Sequence, residues 1–525
     1  MRHRITFVQP PETALDPDAL KLTTNALSAP DLAAAVREDR FTVALSELPD
    51  DVAQTLEGHA ELHLRWASAR PFETLEPFSS RITPGFHVTS ALAKGADALL
   101  KLPELCGFVS TAFGPLDCSD PEAFTKRLAQ DAPAESSDVY QFYQAVDSLD
   151  FFSKFLKTTF CSLGESITIC NEAAKHMKDL VSLDLTYDKT AQNIRLVMTW
   201  PLQKQPINIS GPPSDSDVPY RTEVGILTKG VAPNMSPDQV GMTGVLSVFG
   251  ESKRPSSVLF SFPSRHRKSD AHFAADFLQP TGLHPTWQLQ LDSSMPPAQD
   301  CTAHAYLTLP RTIFADRYQL ADPLFAQSKN LSALRYTSTP VDLEKPEYTT
   351  PTWGSNVLLD LAPPASADAP WTAEIPLHLR YLAPAAGGYT DMSVPYPAVF
   401  WACGPLASPE AEKLTNNPFD RTVLGYDALF APGTVFWHLT PKPAAQAVAT
   451  NTAAPVPTGG LQLTSHVTVP VLDTRASGWI ELGTAAAVGA GFLWVVWCLY
   501  AGAKMGKKTA AKMAGKKKAD TKKSQ

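Results

Sequence analysis

The sequence lacks the short motifs that identify many enzymes. The nucleophile elbow GxSxG, the phosphate-binding loop GxxxxGKS/T and the dinucleotide-binding turn GxGxxG are all missing. The seven cysteines include no CxxC pair, so neither a zinc ribbon nor a thioredoxin-type site is indicated. His59 and His63 are four residues apart without a recognisable third ligand, and the histidines after residue 220 have neither HxxxH nor HxH spacing. The sequence therefore predicts no catalytic residue, no cofactor and no metal site.

Long amphipathic helical patterns are scarce, and the N-terminus has no apolar run. Residues 1–16 read MRHRITFVQPPETALD, which offers no stretch long enough for the core of a signal peptide. Proline (46 residues) and glycine (28 residues) are plentiful, and this composition favours a fold with many strands and turns. We therefore expect a mainly β (α+β) ectodomain.

One long apolar run is present, and it lies near the C-terminus. Residues 482–503 read LGTAAAVGAGFLWVVWCLYAGA and include no charged side chain. At about 1.5 Å per residue such a helix is roughly 33 Å long, enough to cross a hydrocarbon core of about 30 Å. Trp479, Trp497 and Tyr500 lie towards its ends, where aromatic rings prefer the headgroup region. The sequence therefore predicts a single transmembrane helix over 482–503.

Charge is distributed unevenly about this helix. Residues 504–525 carry nine lysines against one acid and a formal charge of +8, whereas the chain before them carries −16. Because a lysine excess beside a span marks the cytoplasmic side, the preceding residues are expected to be lumenal. The tail is predicted to be too polar to fold. It has no aromatic residue and no arginine, so we expect it to meet the lipid bilayer and no nucleic acid.

The topology has an alternative, and the end of the tail bears on the location. A tail-anchored protein with its bulk in the cytosol would also lack a signal peptide. Lys522 and Lys523 stand fourth and third from the end of the chain, which matches the dilysine pattern that returns type I membrane proteins to the endoplasmic reticulum. We therefore expect a single-pass protein of the endoplasmic reticulum membrane, with a lumenal N-terminal domain and a cytoplasmic tail.

Composition also suggests where the ectodomain divides. We expect an N-terminal α+β region over 1–200, a linker over 201–220 that is rich in Pro, Ser and Asp, and a β-rich domain over 221–475. An aromatic stripe from Tyr140 to Leu156 predicts a helix, and the alternation over 183–200 predicts a β-hairpin. Six cysteines precede the span, an even number that is compatible either with three disulfides or with buried free thiols.

A series of short strings follows the predicted linker. In order they are PSRH (263–266), TGLHP (281–285), FADRYQ (314–319), DLE (342–344), WGS (353–355), PLHLRY (376–381) and VFWAC (399–403). In these strings the chain resembles the PIG-X family, in particular its fungal members. The residues that carry the resemblance include Arg265, His266, His284, Trp353, His378 and Arg380.

The resemblance implies a function without chemistry of its own. Members of the PIG-X family are accessory subunits of glycosylphosphatidylinositol (GPI) mannosyltransferase I in the endoplasmic reticulum. The implied partner is the multi-span catalytic subunit, of the PIG-M type, which adds the first mannose to the GPI precursor. Cys301 and Cys403 are the cysteines nearest the matching strings, and a disulfide between them is expected. A lumenal hydrolase and a chaperone-like binder of several lumenal clients remain the alternatives.

Small residues recur along the predicted span. Gly483, Ala487 and Gly491 are four residues apart, and Ala485 with Gly489 forms a second row. Such spacing lets two helices approach closely in lipid. We expect this face to contact a span of the partner, although Gly and Ala are also common in any transmembrane helix.

Three sequons make the predicted topology testable. Asn208, Asn234 and Asn330 each begin an N-x-S triplet, and only a lumenal ectodomain would meet the glycosylation machinery. We expect at least one of them to carry glycan, seen as a mobility shift on treatment with peptide N-glycosidase that is lost when the sequon serine is replaced by alanine. An unglycosylated ectodomain that is open to protease from the cytosolic side would contradict the lumenal assignment.

Overall fold

The computed structural model describes residues 1–521 apart from 25, 128–135, 161–175, 212–220, 234, 236–238, 339–340, 365, 367–368, 405–416 and 445–460. The described residues form two units. The first comprises residues 1–381 and 392–467. The second comprises residues 382–391 and the chain from 468 onwards.

A large, mostly antiparallel sheet dominates the first part of the chain. Its eleven strands, in spatial order, are β14 (Ser256–Pro263), β13 (Gln239–Val248), β12 (Arg221–Lys229), β1 (Arg2–Gln9), β4 (Leu32–Ala44), β10 (Asn193–Gln205), β9 (Ser182–Asp188), β5 (His59–Ala67), β6 (Gly85–Ala93), β8 (Ser136–Gln144) and β7 (Thr125–Arg127). The strand β1 pairs in parallel with β12, and the other pairs described in this sheet are antiparallel. The predicted hairpin over 183–200 is confirmed as β9 and β10.

A second sheet is built from later residues. Its eight strands, in spatial order, are β19 (Leu331–Thr337), β20 (Gly354–Leu361), β17 (Cys301–Pro310), β24 (Ala398–Cys403), β25 (Val435–Pro441), β15 (His266–Phe277), β16 (Thr286–Leu291) and β21 (Trp371–Pro376). Three smaller sheets contain β11 (Asn208–Ser210), β3 (Ala26–Ser28) and β2 (Lys21–Leu22), then β18 (Ile313–Phe314) with β22 (His378–Leu379), and β23 (Tyr389–Pro395) with β26 (Thr464–Pro470). The predicted fold class, mainly β, is confirmed.

Few α-helices occur among the described residues of the first unit. They are α1 (Asp50–Glu57), α2 (Ala98–Phe113), α3 (Asp150–Phe155), α4 (Arg317–Leu320) and α5 (Pro323–Ser328). The first three contribute to the core cluster on one face of the large sheet, whereas α4 and α5 contact β19 of the second sheet. Leu105 and Val109 of α2 and Phe152 of α3 pack in one cluster with Leu64 and Leu185 of the sheet. Because side chains alternate between the two faces of a strand, the residue after Leu64 and the residue before Leu185 point to the opposite face.

That opposite face carries buried charge. Arg65 and Asp184 are direct partners across β5 and β9, and Nε of Arg65 lies 2.7 Å from the Asp184 carboxylate. Arg421 approaches the same carboxylate at 2.8 Å from a segment more than 200 residues away. The Arg65 guanidinium also donates to the backbone oxygens of Thr422 and Val423. This ionic cluster joins the large sheet to the chain that precedes β25.

The predicted helix over the aromatic stripe is only partly present. Tyr140 and Phe142 lie in β8, where Phe142 pairs with Val88 of β6. The α-helix begins at Asp150 and includes the last part of the stripe. Strand pairing with β6 overrides the helical spacing, because aromatic residues favour strands and a pairing partner is available.

The predicted division at residues 201–220 stays a prediction, and the large sheet has strands on both sides of it. Residues 201–205 belong to β10, and 212–220 lie outside the described residues. On the far side, β12 pairs with β1 from Arg2↔Arg221 to Gln9↔Thr228. Strands from the two predicted regions are therefore hydrogen-bonded neighbours.

The second unit contains the long C-terminal helix, α6 (Ser477–Thr521). It includes the predicted span, and it is the one helix in the described residues that is long and apolar enough to cross a membrane. Its 45 residues extend for about 68 Å. The expectation that the tail does not fold is wrong as far as Thr521. Ala, Lys and Met favour helix, and a helix already nucleated in the apolar run propagates at little cost.

The buried ionic cluster is expected to control the stability of the first unit. Replacing Asp184→Asn removes the carboxylate that Arg65 and Arg421 share, and breaking a buried pair in this way costs about 3–5 kcal/mol. The matched control is Asp31→Asn, which breaks the exposed 2.9 Å pair with Lys204 and should cost less than about 1 kcal/mol. Chemical denaturation of the full chain in detergent measures both. Equal effects of the two substitutions would contradict the role given to Asp184.

Candidate functional site

Several of the family-like strings meet at one edge of the first unit. The strand β22 lies between two segments that are distant in sequence. On one side it pairs with β18, with Phe314 opposite His378. On the other, the amides of Leu377 and Leu379 donate to the backbone oxygens of Pro285 (2.9 Å) and Leu283 (3.0 Å). The strings TGLHP, FADRYQ and PLHLRY are thereby brought together.

Two predicted histidines are in direct contact within this group. The Nδ1 atoms of His284 and His378 are 3.0 Å apart, and Nε2 of His378 lies 3.2 Å from Oε1 of Gln319. An amide oxygen only accepts hydrogen bonds, so Nε2 of His378 carries the proton and its Nδ1 accepts from His284. Burial and the nearby His284 lower the pKa of His378 below its usual value. The contact between the two rings therefore ties TGLHP to PLHLRY.

Arg380 fastens a fourth string to the same edge. Its guanidinium donates to the backbone oxygens of Asp342 and Lys345, each at 2.6 Å. It also lies 4.7 Å from the centre of the Phe314 ring, within the range of a cation–π contact. Asp342 belongs to DLE, so Arg380 holds that loop against FADRYQ. Arg380 is buried, and its contacts are those of a structural residue.

Apolar and aromatic side chains are exposed around this assembly. Four of them directly adjoin a residue of the network in sequence, and the fifth, Tyr348, follows Glu347. The set is Leu283 (48% exposed), Tyr318 (65%), Leu343 (41%), Tyr348 (61%) and Tyr381 (68%), and we call it the motif face. The backbone oxygen of Tyr381 accepts from the amide of Glu347 at 3.0 Å, which links the last two. Exposed aromatic residues on an ordered scaffold are typical of protein interaction sites.

PSRH contributes to the interior instead. Nδ1 of His266 lies 3.0 Å from Nε2 of His438, and the His266 ring stacks on Phe436 with ring centres 5.4 Å apart. The Arg265 guanidinium lies 5.5 Å from the centre of the same Phe436 ring. Burial lowers the pKa of His266 far below its usual value and that of His438 to about 3. Both rings are therefore neutral at physiological pH and act as core residues.

WGS joins the two sheets. The indole nitrogen of Trp353 donates to the Gln141 backbone oxygen at 3.1 Å and to Thr125 at 3.2 Å. The following Gly354 has a φ of 150°, and a Cβ there would lie 2.0 Å from the Leu309 oxygen. Only glycine permits that approach. Trp353 also lines a cavity of about 420 Å³ together with Tyr143, Arg311, Glu347 and His466.

One hydrogen-bonded chain has the residue types of a hydrolase site. Oγ1 of Thr302 lies 2.7 Å from Nε2 of His304, whose Nδ1 lies 2.8 Å from Asp360. Arg335 also binds the Asp360 carboxylate at 2.9 and 3.2 Å. Burial lowers the pKa of His304, despite the bond to Asp360. The His304 ring packs against Phe430 with ring centres 4.9 Å apart. These contacts are explained by the ion pair between Arg335 and Asp360, to which His304 adds a hydrogen bond.

The remaining predicted residues are far apart in the sequence. Asn208 is exposed in β11, and Asn330 is exposed with its side-chain nitrogen 2.8 Å from the Thr372 oxygen. Asn234, Lys522 and Lys523 lie outside the described residues. Gly483, Ala487 and Gly491 are exposed positions of α6.

The structure contains two disulfides among its described residues. Cys301 and Cys403, the expected pair, are directly opposite each other on β17 and β24. Cys106 and Cys118 form the second bond, which sequence reasoning did not assign. Cys161 and Cys170 lie outside the described residues, and Cys498 is a free thiol in α6.

Sequence reasoning also missed the motif face and the Asp184 cluster. The strings contained Tyr318, Leu343 and Tyr381, but spacing alone gave no sign that these side chains stay exposed. Arg421 gave no signal at all, because its partner Asp184 is 237 residues away. Among the described residues, no group of His, Cys, Asp and Glu has the geometry to hold a metal ion.

Comparison with known proteins places the chain among proteins of one kind. A model of the PIG-X / PBN1 family matches residues 280–500. The chain is 45% identical over 503 residues to Protein pbn1 of Neurospora crassa and 44% identical over 505 residues to Protein PBN1 of Gibberella zeae, with 95% of each chain covered in both cases. It is 36% identical over 534 residues to Protein pbn1 of Emericella nidulans, again with 95% of each chain covered.

Fold, site and relatives lead to one assignment. The described residues define a β-rich protein with an apolar helix of membrane-spanning length and an exposed apolar face built from sequence strings of one family. The chain belongs to the PIG-X / PBN1 family. The resemblance carried by the strings is thus confirmed, and it extends over most of the chain.

The buried histidine pair gives the protein a predicted sensitivity to acid. The folded pKa of His438 is about 3 against an ordinary 6.5, so the unfolded chain binds a proton more readily as pH falls below about 6.5. At pH 5 this one group lowers the free energy of unfolding by on the order of 2 kcal/mol relative to pH 7. The double variant His266→Phe, His438→Leu should show a smaller fall in thermal midpoint between pH 7 and 5.

A matched control is available for this measurement. His466 is exposed, and His466→Asn should leave the pH dependence unchanged. An identical pH dependence in the parent chain and the buried double variant would show that the pair does not titrate as its burial requires.

Proposed function

We propose that this protein is the non-catalytic accessory subunit that stabilises the catalytic subunit of GPI mannosyltransferase I. The partner is a multi-span mannosyltransferase of the PIG-M type, which adds the first mannose in GPI-anchor biosynthesis. Family membership supports the GPI-related role. The observation that carries the binding role is the motif face, where apolar and aromatic side chains are exposed while His378 and Arg380 form hydrogen bonds within the protein.

The geometry supports docking better than catalysis. Around the motif face, His378 bonds to Gln319 and His284, and Arg380 bonds to backbone oxygens. Their polar atoms are engaged in holding loops together, so they have little capacity left for a substrate. What remains outward are Leu283 and the tyrosines, which resemble the anchors of protein interfaces in size and type.

Stabilisation follows from mass action. A subunit that binds only the folded form of its partner raises the partner's apparent stability by an amount that grows with the logarithm of its concentration. Loss of this protein should therefore lower the abundance of the catalytic subunit. GPI precursors would then accumulate without mannose.

The same proposal includes a location and a topology. We place the protein in the endoplasmic reticulum membrane, with β1 to β26 in the lumen and the Lys-rich end of α6 in the cytoplasm. The charge difference about the span supports this orientation. Within the span, Gly483, Ala487 and Gly491 would lie against a helix of the partner.

Two alternatives keep a specific prediction each. A chaperone-like protein would use the motif face for several unrelated lumenal clients. A hydrolase would use the Thr302–His304–Asp360 chain, with Thr302 as nucleophile and His304 as base. Replacing Thr302→Val would then abolish mannosylation while the catalytic subunit stays at its normal level.

The motif face is tested by co-purification from membranes in mild detergent. The double variant Tyr318→Ser, Tyr381→Ser should retain about a tenth or less of the catalytic subunit, since truncating two aromatic anchors typically costs 2 kcal/mol or more. The matched control is Leu99→Ser, Leu100→Ser, which removes two exposed apolar side chains (70% and 68% exposed) from α2. In the same assay, Ala487→Leu with Gly491→Leu tests the span.

The results separate the three functions. Normal recovery of the transferase with both the face and the span variants would contradict the proposed docking. Recovery of many unrelated lumenal proteins, lost together in the face variant, would favour the chaperone. Thermal midpoints of the purified variants, which should match the parent chain, exclude unfolding as the cause of a loss.

A further inference from the structure

The second unit contains a short loop tied to the start of the long helix. Residues 382–391 read LAPAAGGYTD. The amide of Ala385 donates to the Leu472 oxygen at 3.1 Å, and the amide of Val471 donates to the Gly388 oxygen at 2.9 Å. The loop is thus hydrogen-bonded to the few residues that lead into α6.

One carboxylate serves both the loop and the helix. Asp473 accepts from the amide of Arg475 at 3.0 Å, which caps the turn that continues into α6. The same oxygen accepts from the amide of Gly387 at 3.1 Å. These backbone bonds lower the pKa of Asp473, and Arg475 lies 3.2 Å from its carboxylate. The junction therefore contains a paired charge.

The conformation of the loop depends on two glycines. Gly387 and Gly388 have φ angles of 98° and 76°, in the left-handed region that favours glycine. A Cβ on Gly387 would lie 3.2 Å from the Arg475 guanidinium, and one on Gly388 would lie 3.5 Å from the Val471 oxygen. The pair allows the loop to lie close against the chain that precedes α6.

Apolar and aromatic side chains are exposed around this junction. Tyr389 is 65% exposed, Leu472 is 50% exposed and Trp479 is 80% exposed. Asp473 precedes Trp479 by six residues, about 9 Å along a helix. The headgroup zone of each leaflet is roughly 5–7 Å deep. With Trp479 at the edge of the hydrocarbon, Asp473 lies at or just beyond the outer limit of the headgroups, the level at which Trp and Tyr are favoured.

We propose that residues 382–391 form an interfacial loop that contacts the lipid headgroups on the side of the membrane where α6 begins. The occupant of this surface is the bilayer itself, because the loop is bonded to the residues that enter the span. Because the loop is hydrogen-bonded to Asp473, its contact with the headgroups fixes the depth at which the helix enters the membrane. The proposal requires α6 to span the bilayer, but it does not require the proposed partner.

The test uses the full chain in phosphatidylcholine vesicles without any other protein. A dye that reports polarity is attached after Ala386→Cys in a Cys498→Ser background, so Tyr389 is kept. The parent with Cys498→Ser alone gives the background labelling of the remaining cysteines. A second label, after Leu482→Cys, reports the span. Quenching is measured with a headgroup nitroxide lipid and with aqueous iodide, and the glutathione adduct of the dye serves as the aqueous reference.

We expect the headgroup nitroxide to quench the label at position 386 at least about half as strongly as the label at position 482, since both lie in or near the interface. Iodide should quench it several-fold less than the glutathione adduct. The proposal would be overturned if iodide quenched the 386 label as strongly as it quenches the glutathione adduct while the 482 label lay in lipid. If the 482 label were also aqueous, α6 would not span the bilayer, and the proposal for the loop would fail together with the predicted span.

A glycine pair tests the tie. Gly388→Val places a branched side chain at a φ of 76°, whereas Gly95→Val does so at a φ of 81° in the first unit, with open space around it. We expect Gly388→Val to expose the 386 label to iodide and Gly95→Val to leave its quenching unchanged. Unchanged quenching in both would overturn the role of the tie. A label that is aqueous in vesicles but protected in native membranes would assign the loop to a protein partner instead of lipid.

Discussion

The carboxylate of Asp184, held between Arg65 and Arg421, is the interaction on which much of the first unit depends. It is fixed on one side by strand register, since Arg65 is its direct neighbour across β5 and β9. On the other side it receives Arg421 at 2.8 Å. Desolvating these charges is costly unless each is paired, so the segment around Arg421 has one favourable position. That segment carries Tyr426, which packs on Phe400 with ring centres 4.6 Å apart. A buried ion pair in one sheet thus positions an aromatic core in the other.

Buried polar groups also order the loops that carry the motif face. Arg380 and His378 form their hydrogen bonds inside the protein, with backbone oxygens and with Gln319. This ordering limits the freedom of the loops that carry Tyr318 and Tyr381. An interface formed by ordered side chains loses less conformational entropy on binding. The polar residues of the family strings therefore hold the loops in place, and the apolar residues between them form the motif face.

The loop of the second unit and the start of the long apolar helix are joined at a single residue. Asp473 caps the turn that leads into α6 and holds the loop at Gly387. An apolar helix that emerged from an unrestrained linker would leave its depth and rotation to the lipid alone. In the proposed arrangement, the bonded loop adds polar and aromatic contacts at the start of the apolar helix. In this respect the short second unit is more than an anchor, because its structure begins before the apolar run does.

The sequence by itself determined the apolar span, its charge asymmetry, the β-rich character and the family, because each depends on local composition or on contiguous strings. It predicted the hairpin at 183–200 for the same reason. Tertiary structure decided what local patterns leave open. Phe142 is in a strand because β6 is beside it, and the lysine tail is helical because an apolar helix precedes it. The contact of His284 with His378, 94 residues apart, and that of Asp184 with Arg421 depend on the path of the chain between them. No periodicity encodes such contacts, because they are selected by the burial of the whole fold.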